Sequence, residues 1–444
     1  MGTDRPNHAA QENHLIRSAV HACVTTLVSL ACPAAGLAQD NASAILLSGA
    51  RVLDASGQRW LDGWQVLIVD GRFREVSPDA AAKAPGGARR IDLKGLFLLP
   101  GLIDLHSHLL LHPYDETSWN DQVLKESLEL RTIRAVPAAR ATLEAGFTTL
   151  RELGTEGAGY ADVALRDAIE QGIIPGPRIF TATRALVATG CYGPSGFDPR
   201  WDVPKGAQVA DGPIELRKAV RQQIAAGADW IKVYADYRRR PGDASTPTYS
   251  SEELSAIVDE ARSAGLPVAA HASTDQAIRR AVLAGVKTIE HGYDVSEEVL
   301  ALMRKRGVVL CPTLTASESI ARYGGWKTGT PDHPRIKAAK AMFTRALKSG
   351  VTIGCGSDVG VFAHGENARE LELMVDYGMS PADAVKSATI TAAKVLGRET
   401  ELGRVATGFL ADVIAVRRDP LKDIRAIRNP VLVIKAGRVI VNRP

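Results

Sequence analysis

Residues 101–108 read Gly-Leu-Ile-Asp-Leu-His-Ser-His, a short apolar stretch that ends in two histidines one residue apart. The apolar residues at 102–105 predict a buried strand that follows a break at Pro100 and Gly101. Side chains alternate between the two faces of a strand, so His106 and His108 are expected on one face, close enough to bind one metal ion. Because a His-x-His pair also occurs where histidines pack or face solvent, this pair alone does not identify a metal site.

The length and charge of the chain restrict its class. Its 444 residues suffice for one large catalytic domain and a small accessory domain. Hydrophobic residues make up 45% and charged residues 23%, which is typical of a soluble globular enzyme. The net charge of +4 is spread over 54 basic and 50 acidic residues, and the sequence has no basic run. We therefore expect neither a nucleic-acid nor a membrane partner.

The first 38 residues differ in composition from the rest. Arg17 precedes a mostly apolar stretch at 19–30, and Gly-Leu-Ala follows at 36–38. This pattern predicts a signal peptide over residues 1–38 and a periplasmic or secreted protein. The apolar stretch is shorter than the roughly 20 residues that a membrane span needs. A disordered extension or a misplaced start codon is the alternative interpretation.

The cysteines do not indicate a disulfide framework. Five are present, widely spaced and without a Cys-x-x-Cys pair: Cys23, Cys32, Cys191, Cys311 and Cys355. Two belong to the predicted leader. We interpret the other three as small buried apolar residues, with Cys191 and Cys355 near a pocket.

Both ends of the mature chain show the same pattern of short strands and turns. Strands are predicted at 44–47, 65–69 and 73–76, and again at 412–416, 431–434 and 439–441. Two strand-rich ends around a different middle predict one small β-sandwich domain, assembled from residues 39–97 and 396–444.

The middle of the chain, residues 98–395, alternates apolar strands with amphipathic helices. Eight strands are predicted, at 102–105, 148–153, 178–182, 230–233, 268–270, 288–289, 308–310 and 352–354. Helices are predicted at 127–145, 160–171, 213–226, 251–264, 274–284 and 296–306, with glycines at the helix ends. This alternation predicts an α/β fold, a parallel (β/α)8 TIM barrel.

Six residues with metal-site chemistry fall at the carboxyl ends of the predicted strands. They are His106, His108, Lys232, His271, His291 and Asp358. In a (β/α)8 barrel the active site lies at that end of the strands. Imidazole and carboxylate groups together suit zinc and similar divalent ions.

Lys232 needs a separate explanation, because an ammonium group has no lone pair for a metal. A buried lysine beside metal sites has a lowered pKa, and its neutral amine can react with carbon dioxide. The resulting carbamate is anionic and can bridge two metal ions. The alternative is a surface or salt-bridged lysine, which its place in an apolar strand disfavours.

The ordered set His-x-His, Lys, His, His and Asp resembles the amidohydrolase superfamily of binuclear metal hydrolases. Similarity extends over nearly the whole mature chain, from residues 50–54 to residues 403–412. The stretches at 148–152, 232–234, 289–292 and 364–370 are most similar to the Xaa-Pro dipeptidase-like and carboxypeptidase-like branch. Residues 184–194 are most similar to the bacterial members that hydrolyse ochratoxin A.

The resemblance implies a role for each of these residues. His106, His108 and Asp358 would hold one metal ion, and His271 and His291 a second, with zinc as the default metal. Carbamylated Lys232 would bridge the two ions together with a hydroxide. Asp358 would act as general base and then general acid, and the Tyr234 hydroxyl would help to polarise the amide carbonyl. Asp358 as a ligand only, and Tyr234 as a packing aromatic, are the alternatives.

Four further residues are weaker candidates for substrate contacts: His364, Asn367, Tyr192 and Arg151. His364 and Asn367 follow the last predicted strand and would line the substrate mouth, or serve the loop structure only. Tyr192 and Arg151 would contact a carboxylate or an aromatic group. His112 is expected behind the metal residues or at the surface.

The resemblance thus implies an amidohydrolase that cleaves N-acyl or peptidyl amino acids, such as ochratoxin A into phenylalanine and ochratoxin alpha. A cyclic amide or imino hydrolase or a lactonase of the same fold is the second hypothesis. A metal-free binding protein is the third, disfavoured because all six ligand positions are intact. By resemblance we also expect a homo-oligomer, with an octamer as one form, and a small-molecule substrate.

Overall fold

The computed structural model describes residues 44–198, 200–240 and 242–443. The predicted signal peptide, with Cys23 and Cys32, lies outside the described residues. None of the described helices is both long and apolar enough to cross a membrane.

The described part of the chain contains strands in both end regions and in the middle region. In chain order they are β1 (Ile45–Ser48), β2 (Arg51–Leu53), β3 (Trp60–Leu61), β4 (Gln65–Val69), β5 (Arg72–Ser77), β6 (Arg89–Asp92), β7 (Phe97–Pro100), β8 (Leu102–Ser107), β9 (Phe147–Glu152), β10 (Arg178–Thr181) and β11 (Leu186–Val187). They continue with β12 (Gln208–Val209), β13 (Ile231–Tyr234), β14 (Asp236–Tyr237), β15 (Thr246–Pro247), β16 (Val268–Ala272), β17 (Thr288–His291), β18 (Val309–Cys311), β19 (Val413–Val416), β20 (Leu432–Lys435) and β21 (Arg438–Asn442).

The helices lie mostly between the parallel strands. They are α1 (Trp119–Lys125), α2 (Leu128–Glu144), α3 (Ala161–Glu170), α4 (Gly212–Ala225), α5 (Ser251–Ser263), α6 (Asp275–Ala284), α7 (Glu297–Arg306), α8 (Leu314–Tyr323), α9 (Pro334–Ser349), α10 (Arg369–Asp376), α11 (Pro381–Ser387) and α12 (Ile390–Val395). Two 3-10 helices span Ala80–Lys83 and Ile424–Arg428. The six predicted helices are confirmed as α2–α7, within two residues at each end.

Local chemistry explains where these helices begin and end. Ser250 caps α5 in a full capping box with Glu253, and Thr274 caps α6 through its hydroxyl. Gly285 and Gly307 end α6 and α7 with φ values of 100° and 68°, which glycine adopts without a Cβ penalty.

Strands from both chain ends share one sheet, with the order β21-β20-β19-β7-β2-β3. A second, four-stranded sheet has the order β5-β4-β1-β6. Alternate residues of β1, Ile45 and Leu47, pack in one buried cluster with Val413 and Ile434 of the other sheet. The two sheets thus share an apolar core, as the sandwich prediction required.

The strands of the middle region form two parallel sheets. Their orders are β10-β9-β8 and β12-β11-β13-β16-β17-β18. Seven of the eight predicted strands are confirmed, as β8, β9, β10, β13, β16, β17 and β18. They place the ends of the strands that carry the histidines and the lysine side by side.

The prediction of a regular eighth strand at 352–354 is wrong. Ile353 forms only an isolated bridge with Leu310, and Val359 forms another with Ser107. Two glycines allow this irregular segment to lie close to β8, since a Cβ at Gly354 would stand 2.7 Å from Leu105 Cδ1. The segment nevertheless lies between β18 and β8, as an eighth strand would.

Candidate active site

Three of the predicted metal ligands converge at the end of β8. The Nε2 atoms of His106 and His108 lie 3.5 Å and 3.3 Å from Asp358 Oδ1, and 3.3 Å from each other. The backbone holds this geometry, because the Asp358 N–H donates to the His106 carbonyl and the His108 N–H donates to the Val359 carbonyl. All three side chains are buried.

Asp104 joins the two segments that carry these ligands. Its carboxylate, which is fully buried, accepts hydrogen bonds from the Ser357 N–H and hydroxyl, the His106 N–H and the Asn367 amide. Asp358, the next residue after Ser357, has a left-handed φ of 63°. Such a conformation is uncommon outside glycine and persists where the surroundings fix it.

The histidine rings are oriented through their Nδ1 atoms. His106 Nδ1 lies 2.9 Å from Glu290 Oε2, and His108 Nδ1 lies 2.9 Å from the Gly154 carbonyl oxygen. Since both partners only accept, we assign the proton to Nδ1, which leaves both Nε2 atoms directed at Asp358. This is how proteins usually orient metal-binding histidines.

Charge within the cluster shifts the pKa values of its members. Burial would raise the pKa of the Asp358 carboxyl, but the charges of His106 and His108 and the bond from His108 outweigh burial and lower it to about 2. Burial likewise opposes protonation of His108, but Asp358 and the charge of Glu156 raise its pKa to about 9. A negatively charged Asp358 and a positively charged His108 therefore lie side by side, and a divalent ion would bind to the same carboxylate and imidazole atoms.

His271 and His291 lie beside this cluster, not within it. Their ring centroids are 4.5 Å apart, and the His291 ring centroid is 5.3 Å from that of His106. His291 Nδ1 lies 2.7 Å from the Thr313 hydroxyl oxygen. Burial, followed by nearby positive charge, lowers the pKa of both rings well below the usual value, so they are neutral, as metal ligands must be.

Lys232 is buried between these groups, with 1% of its surface exposed. Its ammonium nitrogen has no ion-pair partner within 4.0 Å in the described part of the chain, and it lies 5.5 Å from the centre of the Tyr234 ring. Burial and the charge of Arg151 lower the pKa of Lys232, against the opposing charges of Glu290 and Asp358. Lys232 is therefore buried with a lowered pKa, as predicted, and the alternative of a surface or salt-bridged lysine does not hold.

The donor set fits a divalent metal ion. One ligand atom each from His106, His108 and Asp358 lies within 4.8 Å of the others. Two imidazoles and a carboxylate, all buried, are the chemistry that zinc and similar ions prefer.

A cavity of about 450 Å³ opens above the cluster, and His106, His108, His271, His291 and Asp358 line it. Aromatic rings make up much of the remaining wall: Tyr114, Trp119, Tyr192, Tyr234, Tyr237 and Tyr293. Charged side chains also reach it, namely Glu156, Arg238, Asp294 and Arg335. The cavity can therefore hold a small molecule with both apolar and charged parts.

Tyr234, predicted to polarise the carbonyl, and Tyr192, a predicted substrate contact, both line the cavity, whereas Arg151 does not. Arg151 is fully buried, and its guanidinium donates to the Leu105 carbonyl, the Thr288 hydroxyl and Glu290. Arg151 thus contacts Glu290, the hydrogen-bond partner of His106, and its predicted contact with substrate is wrong. Because the guanidinium is fully buried and does not line the cavity, it cannot contact a ligand there.

His364 and Asn367 also lie away from the cavity wall. His364 Nε2 lies 2.9 Å from the Leu111 carbonyl oxygen, and Asn367 is fully buried against Asp104. Both residues therefore support the segments that carry the proposed ligands. This agrees with the alternative that they serve the loop structure only. His112 pairs with Glu126 and Glu116 behind the site, in agreement with its predicted non-ligand position. Cys191, Cys311 and Cys355 are buried free thiols, and none of them lines the cavity.

Sequence reasoning missed Glu156, which lies at the cavity wall 3.9 Å from His108 Nδ1. A signal existed, because Glu156 follows β9 in a glycine-rich loop, Gly-Thr-Glu-Gly, at the carboxyl end of a strand. Arg238, Asp294 and Arg335 were also missed, and nothing in their sequence context distinguishes them from surface residues.

Comparison with known proteins agrees with this geometry. Residues 97–440 match the Amidohydrolase family. The chain is 32% identical over 363 residues to ochratoxinase from Aspergillus niger, an alignment that covers 75% of this chain and 72% of that protein.

Solved structures give the same result. A Xaa-Pro dipeptidase with methionine bound in its active site is 32% identical, with a TM-score of 0.80, and the match covers 89% of this chain and 99% of that one. A prolidase in complex with N-methylphosphonate-L-proline is 32% identical, with a TM-score of 0.79, covering 90% and 100% of the two chains. The chain therefore belongs to the amidohydrolase family, in its dipeptidase-like and ochratoxinase-like branch, and is a hydrolase that acts on amide bonds.

Proposed function

We propose that this chain is a metal-dependent hydrolase that releases the C-terminal amino acid from N-acyl or peptidyl amino acids. One observation carries the proposal: His106, His108 and Asp358 converge at the base of a cavity whose walls combine aromatic rings with two arginines. The similarity to an ochratoxinase and to Xaa-Pro dipeptidases supports an amide whose leaving group is an amino acid.

The residues divide into two candidate sets of metal ligands. His106, His108 and Asp358 would hold one divalent ion, His271 and His291 a second, and a carbamate on Lys232 would connect them. We propose zinc as the metal. Such ions supply a water of lowered pKa and polarise the carbonyl of the amide. The lowered pKa of Lys232 supports the carbamate, since only the neutral amine reacts with carbon dioxide.

Asp358 and Tyr234 would then handle the proton and the developing negative charge. The lowered pKa of Asp358 keeps its carboxylate ionised, and in that form it would accept a proton from water and deliver it to the leaving nitrogen. Burial, reinforced by Glu156, raises the pKa of the Tyr234 hydroxyl well above its usual value. Tyr234 therefore keeps its proton and can donate it in a hydrogen bond to the carbonyl oxygen.

The cavity wall suggests how the amino acid would be held. The Arg335 guanidinium lies 5.8 Å from the centre of the Tyr293 ring, and that of Arg238 lies 5.0 Å from the centre of the Tyr237 ring. Guanidinium groups pair with carboxylates, and the neighbouring rings give an apolar surface to a side chain. A C-terminal amino acid with a large side chain, such as phenylalanine, matches this combination.

We also propose that the two parallel sheets belong to one (β/α)8 barrel, residues 98–395, flanked by the β-sandwich from both chain ends. Hydrogen bonds support closure at both gaps: Leu105 N–H donates to the Cys355 carbonyl, and Trp230 N–H donates to the Thr181 carbonyl. Export through the leader and assembly into a homo-oligomer stay predictions.

The proposal is tested by counting metals and screening amides together. Purified protein should contain about two zinc-type ions per subunit and release the C-terminal amino acid from Ala-Phe, N-acyl phenylalanine or ochratoxin A. Lys232→Ala should lose this activity and at least one ion, whereas Lys348→Ala, at an exposed position, should keep both. Turnover of lactone or hydantoin controls alone would assign the second hypothesis, and a folded protein with neither metal nor turnover would refute catalysis.

A further inference from the structure

Glu156 is a buried carboxylate in the cavity wall, with 2% of its surface exposed. Its Oε2 accepts hydrogen bonds from the Trp119 indole, at 2.9 Å, and from the Tyr192 hydroxyl. Its Oε1 has one weak side-chain donor, the Tyr234 hydroxyl at 3.4 Å. A carboxylate oxygen accepts two hydrogen bonds, so Oε1 retains capacity for a donor from a ligand.

Glu156 has an unfavourable backbone conformation that its neighbours hold in place. Its φ of 51° lies in the left-handed region, which non-glycine residues rarely adopt. The buried guanidinium of Arg131 donates to the Glu156 carbonyl oxygen at 2.7 Å and also to the Leu110 and Thr155 carbonyls. Strain of this kind persists where the surroundings fix it, and it is frequent at ligand sites.

Three aromatic side chains direct their polar edges at the carboxylate: the Trp119 N–H and the Tyr192 and Tyr234 hydroxyls. The Tyr192 ring stacks on the Tyr234 ring at 4.1 Å between centroids, and the Trp119 ring lies 4.9 Å from the Tyr192 ring. A buried carboxylate binds an organic ammonium group through charge-assisted hydrogen bonds, and the neighbouring rings give such a site an apolar wall. No positively charged side chain pairs with this carboxylate in the described ranges, apart from the 3.9 Å contact with His108 Nδ1.

Charge changes sign along the cavity wall. From Glu156, the wall continues through ring contacts that end at a guanidinium: Tyr192 to Tyr234 at 4.1 Å, Tyr234 to His271 at 4.6 Å, His271 to His291 at 4.5 Å, His291 to Tyr293 at 5.5 Å, and Tyr293 to Arg335 at 5.8 Å. The wall therefore carries the Glu156 anion together with two cations: Arg335 at the far end of these ring contacts, and Arg238, 5.0 Å from the Tyr237 ring, which itself lies 5.0 Å from the Tyr192 ring. A dipeptide, with an ammonium and a carboxylate, has the complementary charges.

We propose that Glu156 binds the α-ammonium group of a dipeptide substrate and so selects dipeptides with a free amino group over N-acyl amino acids. The inference rests on the proposed function and narrows its substrate class. In a dipeptide the α-ammonium is attached to the carbon next to the scissile carbonyl. Its acceptor should therefore lie beside the group that contacts that carbonyl, and Glu156 Oε1 lies beside the Tyr234 hydroxyl.

Two substrates of nearly equal shape test the proposal: Ala-Phe and propionyl-Phe, which lacks only the amino group. A charge-assisted hydrogen bond predicts that the metal-loaded enzyme prefers Ala-Phe in kcat/KM by about 10- to 100-fold. Glu156→Gln keeps the shape and removes the charge, so the preference should fall by about that factor. Comparing the ratio between the two proteins cancels the intrinsic reactivities of the substrates.

Two further measurements serve as controls: a second variant, and a binding experiment on the wild-type protein. Glu399→Gln, an exposed carboxylate changed in the same way, should keep the wild-type ratio. Equilibrium binding of ketomethylene analogues of Ala-Phe, with and without the amino group, to metal-loaded wild-type protein needs no variant and no turnover. Tighter binding of the amino form supports the proposal.

The outcomes separate the two levels of inference. A metal-loaded enzyme that cleaves none of Ala-Phe, propionyl-Phe and ochratoxin A refutes the proposed function. An enzyme that cleaves both, with the same ratio in wild type and Glu156→Gln, refutes only the role of Glu156. Equal binding of the two ketomethylene analogues to the wild type also refutes that role, even if Glu156→Gln does not fold.

Discussion

Glu290→Gln should damage the metal site although Glu290 is not a proposed ligand. Glu290 is fully buried, and its two oxygens serve three donors: Oε2 accepts from His106 Nδ1 at 2.9 Å, and Oε1 accepts from Arg151 Nη2 at 2.9 Å and from the Thr288 hydroxyl at 2.5 Å. A glutamine has only one accepting oxygen. With its NH2 group towards His106, that ring must move its proton to Nε2, which then cannot bind a metal. With its NH2 group towards Arg151, two donors face each other in the interior.

The magnitude follows from the two interactions. Removing one charge of a buried ion pair costs about 3–5 kcal/mol of stability, because the other charge loses its partner. Loss of the group that orients a metal-binding histidine usually lowers metal affinity by about 10- to 100-fold. We therefore expect Glu290→Gln to lose both stability and metal affinity.

Glu318→Gln is the matched control. Glu318 is also buried and pairs with Arg369 through both oxygens, at 2.8 Å and 2.9 Å, but it contacts none of the proposed ligands. Urea unfolding of metal-free protein measures the stability of each variant, and competition with a chelating dye measures the zinc affinity. Glu318→Gln should lose stability alone. Unchanged zinc affinity in a folded Glu290→Gln protein would refute the expectation that the Glu290 carboxylate supports His106 as a metal ligand.

Two further predictions concern other buried carboxyls. Asp104→Ala leaves four donors without their acceptor. It should lower the free energy of unfolding by about 3 kcal/mol or more, and it should also lower the zinc affinity. A free energy of urea unfolding within about 1 kcal/mol of the wild-type value would contradict this prediction. Burial raises the pKa of Glu370 to about 8 from 4.5, so the folded chain retains a proton that the unfolded chain has already lost. Glu370 should therefore make the free energy of unfolding fall as pH rises from about 5 to 8, and that free energy should fall less in Glu370→Gln. Parallel curves of the free energy of unfolding against pH for the two proteins would contradict the shifted pKa.

The sequence was sufficient for the pattern of strands and helices, because that pattern depends on local periodicity and caps. It was insufficient at the last strand, where Thr352–Gly354 has strand-forming residues but no regular ladder. Gly354 and Gly356 let this segment lie against β8, as the 3.0 Å approach of a Cβ at Gly356 to His106 Cβ indicates. Such packing depends on residues some 250 positions away, which periodicity does not record.

The proposed ligands and the substrate contacts differed in predictability for a physical reason. Ligands at strand ends are fixed by the fold class, so their order along the chain was informative. Arg151 has the residue type of a carboxylate binder, yet its donors are used by Glu290, Thr288 and Leu105 inside the protein. Whether an arginine faces a cavity or the interior depends on its rotamer and its neighbours, which one sequence does not reveal.

Glu290 and His291 show most directly where alternation along a strand fails. Adjacent strand residues should point to opposite faces, so only one of this pair is expected in the site. His291 has a left-handed φ of 74° at the end of β17, which breaks the alternation, and both side chains are turned towards the ligands. Glu290 reaches His106, and the His291 ring lies 5.3 Å from the His106 ring. The backbone distortion therefore lets one short strand supply both a proposed metal ligand and the carboxylate that orients another. A residue at position 291 that could not hold this φ would remove both functions, even if its side chain could bind metal.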